Sequence, residues 1–134
     1  MTAHRALLPP GWPRPKGYAN GIAASGRLVV TGGVVGWDEH EAFPSGTLAG
    51  QFAQVLANIV AILAEGGAGP QHVVRMTCYV TDIDEYRTSL PEIGAAWREH
   101  MGKNFPAMAL VAVTALVEPA AKIEIEATAV VPEL

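Results

Sequence analysis

Glu124 and Glu126 stand two residues apart in a segment whose intervening positions are apolar, so both project from one face of a strand. A carboxylate set beside a reacting group can hold a water molecule or take its proton. On a strand open to solvent the same pair, flanked by Lys122 and Thr128, is an ordinary hydrated face. Tyr18 brings a phenolic donor close behind two cations, Arg14 and Lys16, and equally fits a sheet-edge aromatic with a hydrated hydroxyl. Trp12 and Trp37 flank it and suit either an aromatic pocket or plain packing.

Other chemistries are argued against. Gly32-Gly33 is no phosphate loop, because no Gly-x-x-x-x-Gly-Lys pattern occurs in the chain. Cys78 is the single cysteine, which excludes an intrachain disulfide and a cysteine-based zinc site; set among apolar alternates, it reads as a buried, inert thiol. His4, His40, His72 and His100 show neither an i,i+4 nor a His-x-His pairing, so no metal site and no cofactor are expected.

The elements that position these residues follow from periodicity. Residues 1–17 read as an extended arm, since Leu8 to Gly17 carries four prolines and proline fixes φ and removes a donor. Tyr18 to Ala24 suggests a short strand before a Ser25-Gly26 turn. Arg27 to Val35 reads as a buried, valine-rich strand interrupted at Gly32-Gly33. Leu48, Phe52, Val55, Leu56, Ile59, Ile62 and Leu63 recur at helical steps, with Thr47 as N-cap and Gly66-Gly67 as stop. Val74, Met76, Cys78 and Val80 alternate with polar neighbours as a two-faced strand. A second helix is expected from about Asp84, with Tyr86, Leu90, Ile93, Trp97 and Met101 on its apolar side and Gly102 at its end. Two strands close the chain, Ala107 to Leu116, apolar on both faces, and Lys122 to Val130.

The order β-β-α-β-α-β-β describes one α+β domain over residues 1–134, with two helices on one face of a mixed sheet. A sheet whose second face is also apolar needs another layer, and a further copy of the chain is the economical cover. Composition agrees: 134 residues suit one domain, and 50% are apolar against 16% charged. A formal charge of −4 and no basic run argue against nucleic acid as a partner. The proline-rich start does not read as a secretory signal, and the apolar stretches fall short of a bilayer span; no membrane partner and a cytoplasmic location are expected.

Seven segments taken together resemble the RidA/YjgF family of enamine/imine deaminases. They are Gly17-Tyr18-Ala19-Asn20-Gly21, Val30-Thr31-Gly32-Gly33, Gln51 to Asn58 with Val60, Val73 to Thr77, Val80-Thr81-Asp82, Phe105-Pro106-Ala107 and Ile123 to Ala127. Each is weak alone; all seven in order, from Tyr18 to Val130, are a specific signal. The resemblance implies a chorismate-mutase-like fold and a homotrimer whose sheets form a barrel-like core, with small-molecule ligands in clefts between subunits. It implies hydrolysis of 2-aminoacrylate-type enamines and imines to keto acids and ammonia. By the same resemblance Tyr18 matches a pocket tyrosine, Gly32 a cleft-lining glycine, and Glu124 a glutamate that orients water, while Glu126 reads as structural.

Three polar positions of the family are apolar here. Met108 replaces the deaminase arginine, Leu110 a cysteine, and Leu90 an asparagine. Arginine grips a carboxylate through paired charge-assisted bonds, each worth roughly 1.5–3 kcal/mol. Methionine offers only flexible apolar surface. Three readings follow. An imine or enamine without that carboxylate, or with an aromatic or acyl group beside Met108, is hydrolysed in a pocket that includes Leu110 and Leu90, with Glu124 holding water and Tyr18 donating to the substrate or leaving nitrogen. Alternatively, Arg14 or Lys16 replaces the missing cation, or the pocket binds a metabolite without turnover. The family's older label, a ribonuclease that inhibits translation, fits poorly with the acidic balance.

Overall fold

The computed structural model describes residues 4–133. Helix α1, Leu48–Glu65, starts where Thr47 Oγ1 accepts the Gly50 amide at 3.1 Å. Its stripe of Leu48, Phe52, Val55, Leu56, Ile59 and Leu63 is buried in the core, each such side chain contributing roughly 1.5–3 kcal/mol relative to exposure. Ile62, expected in the stripe, faces outward instead. By length and apolarity α1 would suffice to cross a membrane, with mean hydropathy 1.5, but its apolar stripe is spent on the sheet.

The sheet runs β3-β7-β5-β6, with β3 Arg27–Val30, β5 Val73–Val80, β6 Ala107–Ala112 and β7 Ile123–Val131. Strand β4, Val34–Val35, also pairs with β7, so Gly32-Gly33 does break one strand into two. Just after it Gly36 meets α1 so closely that a Cβ would lie 2.8 Å from the Gln51 carbonyl oxygen. Strands β5 and β6 are parallel, joined across the second helical segment, and every other neighbour is antiparallel. Ile123, Ile125, Ala127 and Ala129 face α1 and the core; Glu124, Glu126 and Thr128 face the other way. A bulge between Val73 and Arg75 sets the register of β5, which buries Val73 rather than Val74.

Several expectations need correction. Strand β3 is not buried: at the sheet edge Leu28 and Val30 are 64% and 58% exposed, because the outer face carries no layer in a single chain. The strand begun at Ala107 stops at Ala112, since after the Val113 amide bonds the Val80 carbonyl at 2.8 Å the chain turns away from β5. The second helix is two, α2 Ile83–Thr88 and α3 Leu90–Met101. Pro91 has no amide to continue α2, so the chain restarts at Ser89 with proline in the first turn of α3. Within the arm, β1 Arg5–Ala6 pairs with β2 Ile22–Ala23, and Ala19 bridges to Ala107; the Tyr18 to Ala24 strand is shorter than its sequence suggests.

Glu85, on α2, ties three elements together. Its Oε2 accepts the Leu48 amide at the start of α1 at 2.7 Å, and its Oε1 accepts from Lys122 Nζ at 2.8 Å. The Lys122 ammonium first, then the Leu48 N–H, hold the Glu85 carboxyl below its ordinary pKa. A depressed carboxyl pKa means that the unfolded chain takes up the proton first, so this stability is present above the unfolded value and lost as pH falls through the folded one. Glu85→Gln is expected to cost about 1 kcal/mol at neutral pH, and thermal melts should show the gap to wild type closing below about pH 4.

Candidate active site

Between β6, α3 and the end of the arm the fold leaves a cavity of about 730 Å³. Its position follows from the sheet register. Met108 and Leu110 pair with Met76 and Cys78 and point to the helix side, where the Pro91 break lets α3 stand off β6. Leu90, the first residue of α3, and Tyr18 both line it and are both partly open to solvent. Phe52, Trp97 and Phe105 form an aromatic wall: Trp97 stacks on Phe105 at 6.2 Å and 9°, and on Phe52 at 6.5 Å and 24°. The Trp97 indole N–H donates to the Asn104 carbonyl at 3.2 Å, which fixes the ring. Three cations, Lys16, Arg98 and Lys103, line the cavity, and no carboxylate does.

A second cavity, about 600 Å³, lies under the arm and includes Arg14; it shares Gly17, Tyr18, Lys103 and Phe105 with the first. Tyr18, 43% exposed, thus stands on the boundary between the two. Of the residues singled out from sequence, Tyr18, Met108, Leu110, Leu90 and Lys16 share one cavity, and Arg14 the adjoining one. Gly32 and Glu124 line neither. Glu124 belongs to the outer sheet face, where its carboxylate lies over Gly33 in space that a Cβ would fill. Glu126 is engaged by the Tyr79 hydroxyl, which donates to it at 2.8 Å; that bond pushes the Tyr79 pKa up.

The tryptophans expected near Tyr18 do not build the pocket. Trp12 is exposed, and Trp37 packs against Phe43 at 6.1 Å, away from both cavities. Cys78 lies beneath the cavity floor, where burial pushes its thiol pKa up to about 12 and removes its nucleophilicity at neutral pH. Among the described residues no cluster of His, Cys, Asp and Glu has the geometry to hold a metal ion. Arg98 and Lys103 escaped the sequence reading because single cations on a helix and loop look like solvated surface. Their common wall appears only after α3 is docked.

Residues 13–131 match the sequence profile of the family described as Endoribonuclease L-PSP. The chain belongs to this family, RidA/YjgF. The Salmonella typhimurium 2-iminobutanoate/2-iminopropanoate deaminase is 32% identical over 113 residues, 84% of this chain and 86% of that protein. The Homo sapiens protein of the same name is 31% identical over 105 residues, 78% and 73% of the two chains. Among solved structures, a Rid-family protein of unknown function from Yersinia pestis superposes with TM-score 0.83 at 31% identity, covering 96% of this chain and 98% of that one. The YjgF product of E. coli gives 0.68 at 30% identity, covering 94% and 98%. The α+β fold of this RidA/YjgF member, two main helices against a mixed sheet, is that of its solved relatives.

Proposed function

We propose that this RidA/YjgF member is a hydrolase of small imines or enamines whose substrate differs from 2-aminoacrylate and 2-iminopropanoate. The observation that carries this reading is the cavity that unites Tyr18 with an apolar floor of Met108, Leu110 and Leu90. Relatives named for 2-iminobutanoate/2-iminopropanoate deamination support the reaction class. Water adds to the imine carbon as the nitrogen gains a proton; the carbinolamine then collapses, its C–N bond breaking to release ammonia and leave a carbonyl. Tyr18 at the cavity boundary is the donor toward nitrogen, and Glu124 the acceptor that holds water.

Glu124 and the cavity of its own chain are on opposite sides of the sheet. The reading therefore includes a homotrimer, in which the outer face of one chain brings Glu124 to the cavity mouth of the next. The exposed Leu28, Val30 and Val111 of that outer face support it, since such a surface needs a cover. Turnover requires no cofactor in this scheme.

Timing ammonia release from imines generated in situ by an amino-acid oxidase tests the proposal. Acceleration over buffer for at least one bulky imine is expected, with little for 2-iminopropanoate. Met108→Arg should raise the rate on 2-iminopropanoate by about 10–100-fold, the worth of one charge-assisted carboxylate contact. If no imine is hydrolysed faster than in buffer, while keto acids still bind, the protein is a metabolite-binding member of the family.

A further inference from the structure

We propose that Lys103, assisted by Lys16, is a relocated anion grip, and that the cavity takes 2-imino acids with an aromatic or large branched side chain. The ligand then lies with its side chain inward and its carboxylate at the mouth. This rests on the hydrolase reading for the reaction but not for the binding.

Where the cavity meets β6 its lining, Met108 and Leu110, is apolar. A carboxylate placed against Met108 and Leu110 would lose its hydration without gaining a donor. The stacked Phe52, Trp97 and Phe105 offer flat apolar area instead, on which an aryl or branched alkyl group gains both burial and ring contact. A cavity of about 730 Å³ is also far larger than a three-carbon acid fills.

The charge distribution fixes the opposite end. Lys16, Arg98 and Lys103 are exposed at the cavity, and none forms an ion pair among the described residues. Of these, Lys103 alone lines both cavities, beside Tyr18. Its placement is built into the backbone. Gly102, with φ 64, ends α3 in a conformation that favours glycine, and turns the chain so that residue 103 meets the cavity. Asn104 then locks the turn: its Nδ2 donates to the Met101 carbonyl at 2.8 Å, and its own carbonyl accepts from Trp97. In a 2-imino acid the carboxylate is bonded to the imine carbon. A carboxylate on Lys103 therefore leaves the C=N beside Tyr18 at the open side, where water has access, and sends the side chain to the aromatic wall.

Calorimetric titration of the wild-type protein with unreactive product-like probes tests the assignment. Phenylpyruvate is expected to bind at least about tenfold tighter than pyruvate, which lacks the ring, and than benzyl methyl ketone, which lacks the carboxylate. Lys103→Ala should weaken phenylpyruvate about tenfold and leave benzyl methyl ketone unchanged, while Lys103→Arg should restore the affinity. Lys103 is exposed, so folding is not at stake, and far-ultraviolet spectra should coincide. Pyruvate binding as tightly as phenylpyruvate, or a Lys103→Ala affinity equal to wild type, would overturn the proposal. Lys103-dependent binding of phenylpyruvate without ammonia release from its imine refutes only the hydrolase reading. Equal turnover of aromatic and three-carbon imines refutes only the specificity.

Discussion

Glu124→Ala is expected to slow imine hydrolysis by about 10²–10⁴-fold with little change in ligand affinity, the usual scale for losing a positioned acid or base. Glu124 is well suited to a clean experiment. Its carboxylate makes no hydrogen bond or ion pair among the described residues, so its removal leaves no partner stranded. Glu126→Ala is the matched control: it removes the bond from Tyr79 on the same sheet face and should leave turnover intact. Gly33→Ala extends the argument, because a Cβ there overlaps the Glu124 carboxylate and must push it aside. Its rate should fall toward that of Glu124→Ala. Since Glu124 lies across the sheet from the cavity of its own chain, unfolding and refolding a mixture of Tyr18→Phe and Glu124→Ala chains should recover activity that neither has alone. Initial rates of ammonia release are the readout. A Glu124→Ala enzyme as fast as wild type would remove Glu124 from the mechanism, and a mixture no faster than its parts would remove the shared site.

Much of this architecture could be read from residue order because it depends on local rules. The α1 stripe, the Thr47 cap, the alternation of β7 and the break at Gly32-Gly33 are all short-range consequences of period, capping and glycine. Pro91 carried a legible signal too: a proline four residues after Arg87 removes the bond a continuous helix needs, yet the apolar spacing from Tyr86 to Met101 ran straight through it. The bulge in β5 left no such mark, being set by pairing with β7. Site residues divided in the same way. Tyr18, Met108, Leu110 and Leu90 line one cavity because β6, α3 and the Ala19–Ala107 bridge place them there. The cations at the mouth, and the separation of Glu124 from the cavity, depend on docking between elements far apart in sequence, which no window of residues contains.

Gln51 shows the same principle with the largest cost to stability. In the helical pattern it occupies a position on the buried side of α1, and it is 1% exposed. Its Nε2 donates to the Ser45 carbonyl at 3.1 Å and to the Ala120 carbonyl at 2.9 Å. Its Oε1 accepts the Lys122 amide at 2.7 Å. One side chain thus satisfies three backbone groups from two loops that could find no strand partner, and every buried side-chain polar atom among the described residues has a partner. Gln51→Leu keeps the volume and helix propensity but strands all three groups, each costing about 1–3 kcal/mol when unsatisfied. Some relief by entering water brings the expected loss to about 3–5 kcal/mol, seen as a lower denaturant midpoint with an unchanged slope. Ile62→Ala, on the exposed side of the same helix, should cost under about 1 kcal/mol. The loss also reaches the site. Lys122 opens the turn into β7, and Glu124 follows two residues later, so releasing the Lys122 amide loosens the start of the strand that carries the proposed water-holding carboxylate. Gln51→Leu should therefore lower turnover at temperatures well below its melting point, whereas a core truncation such as Leu63→Ala, of similar cost but at the far end of α1, should leave the rate of its folded fraction unchanged.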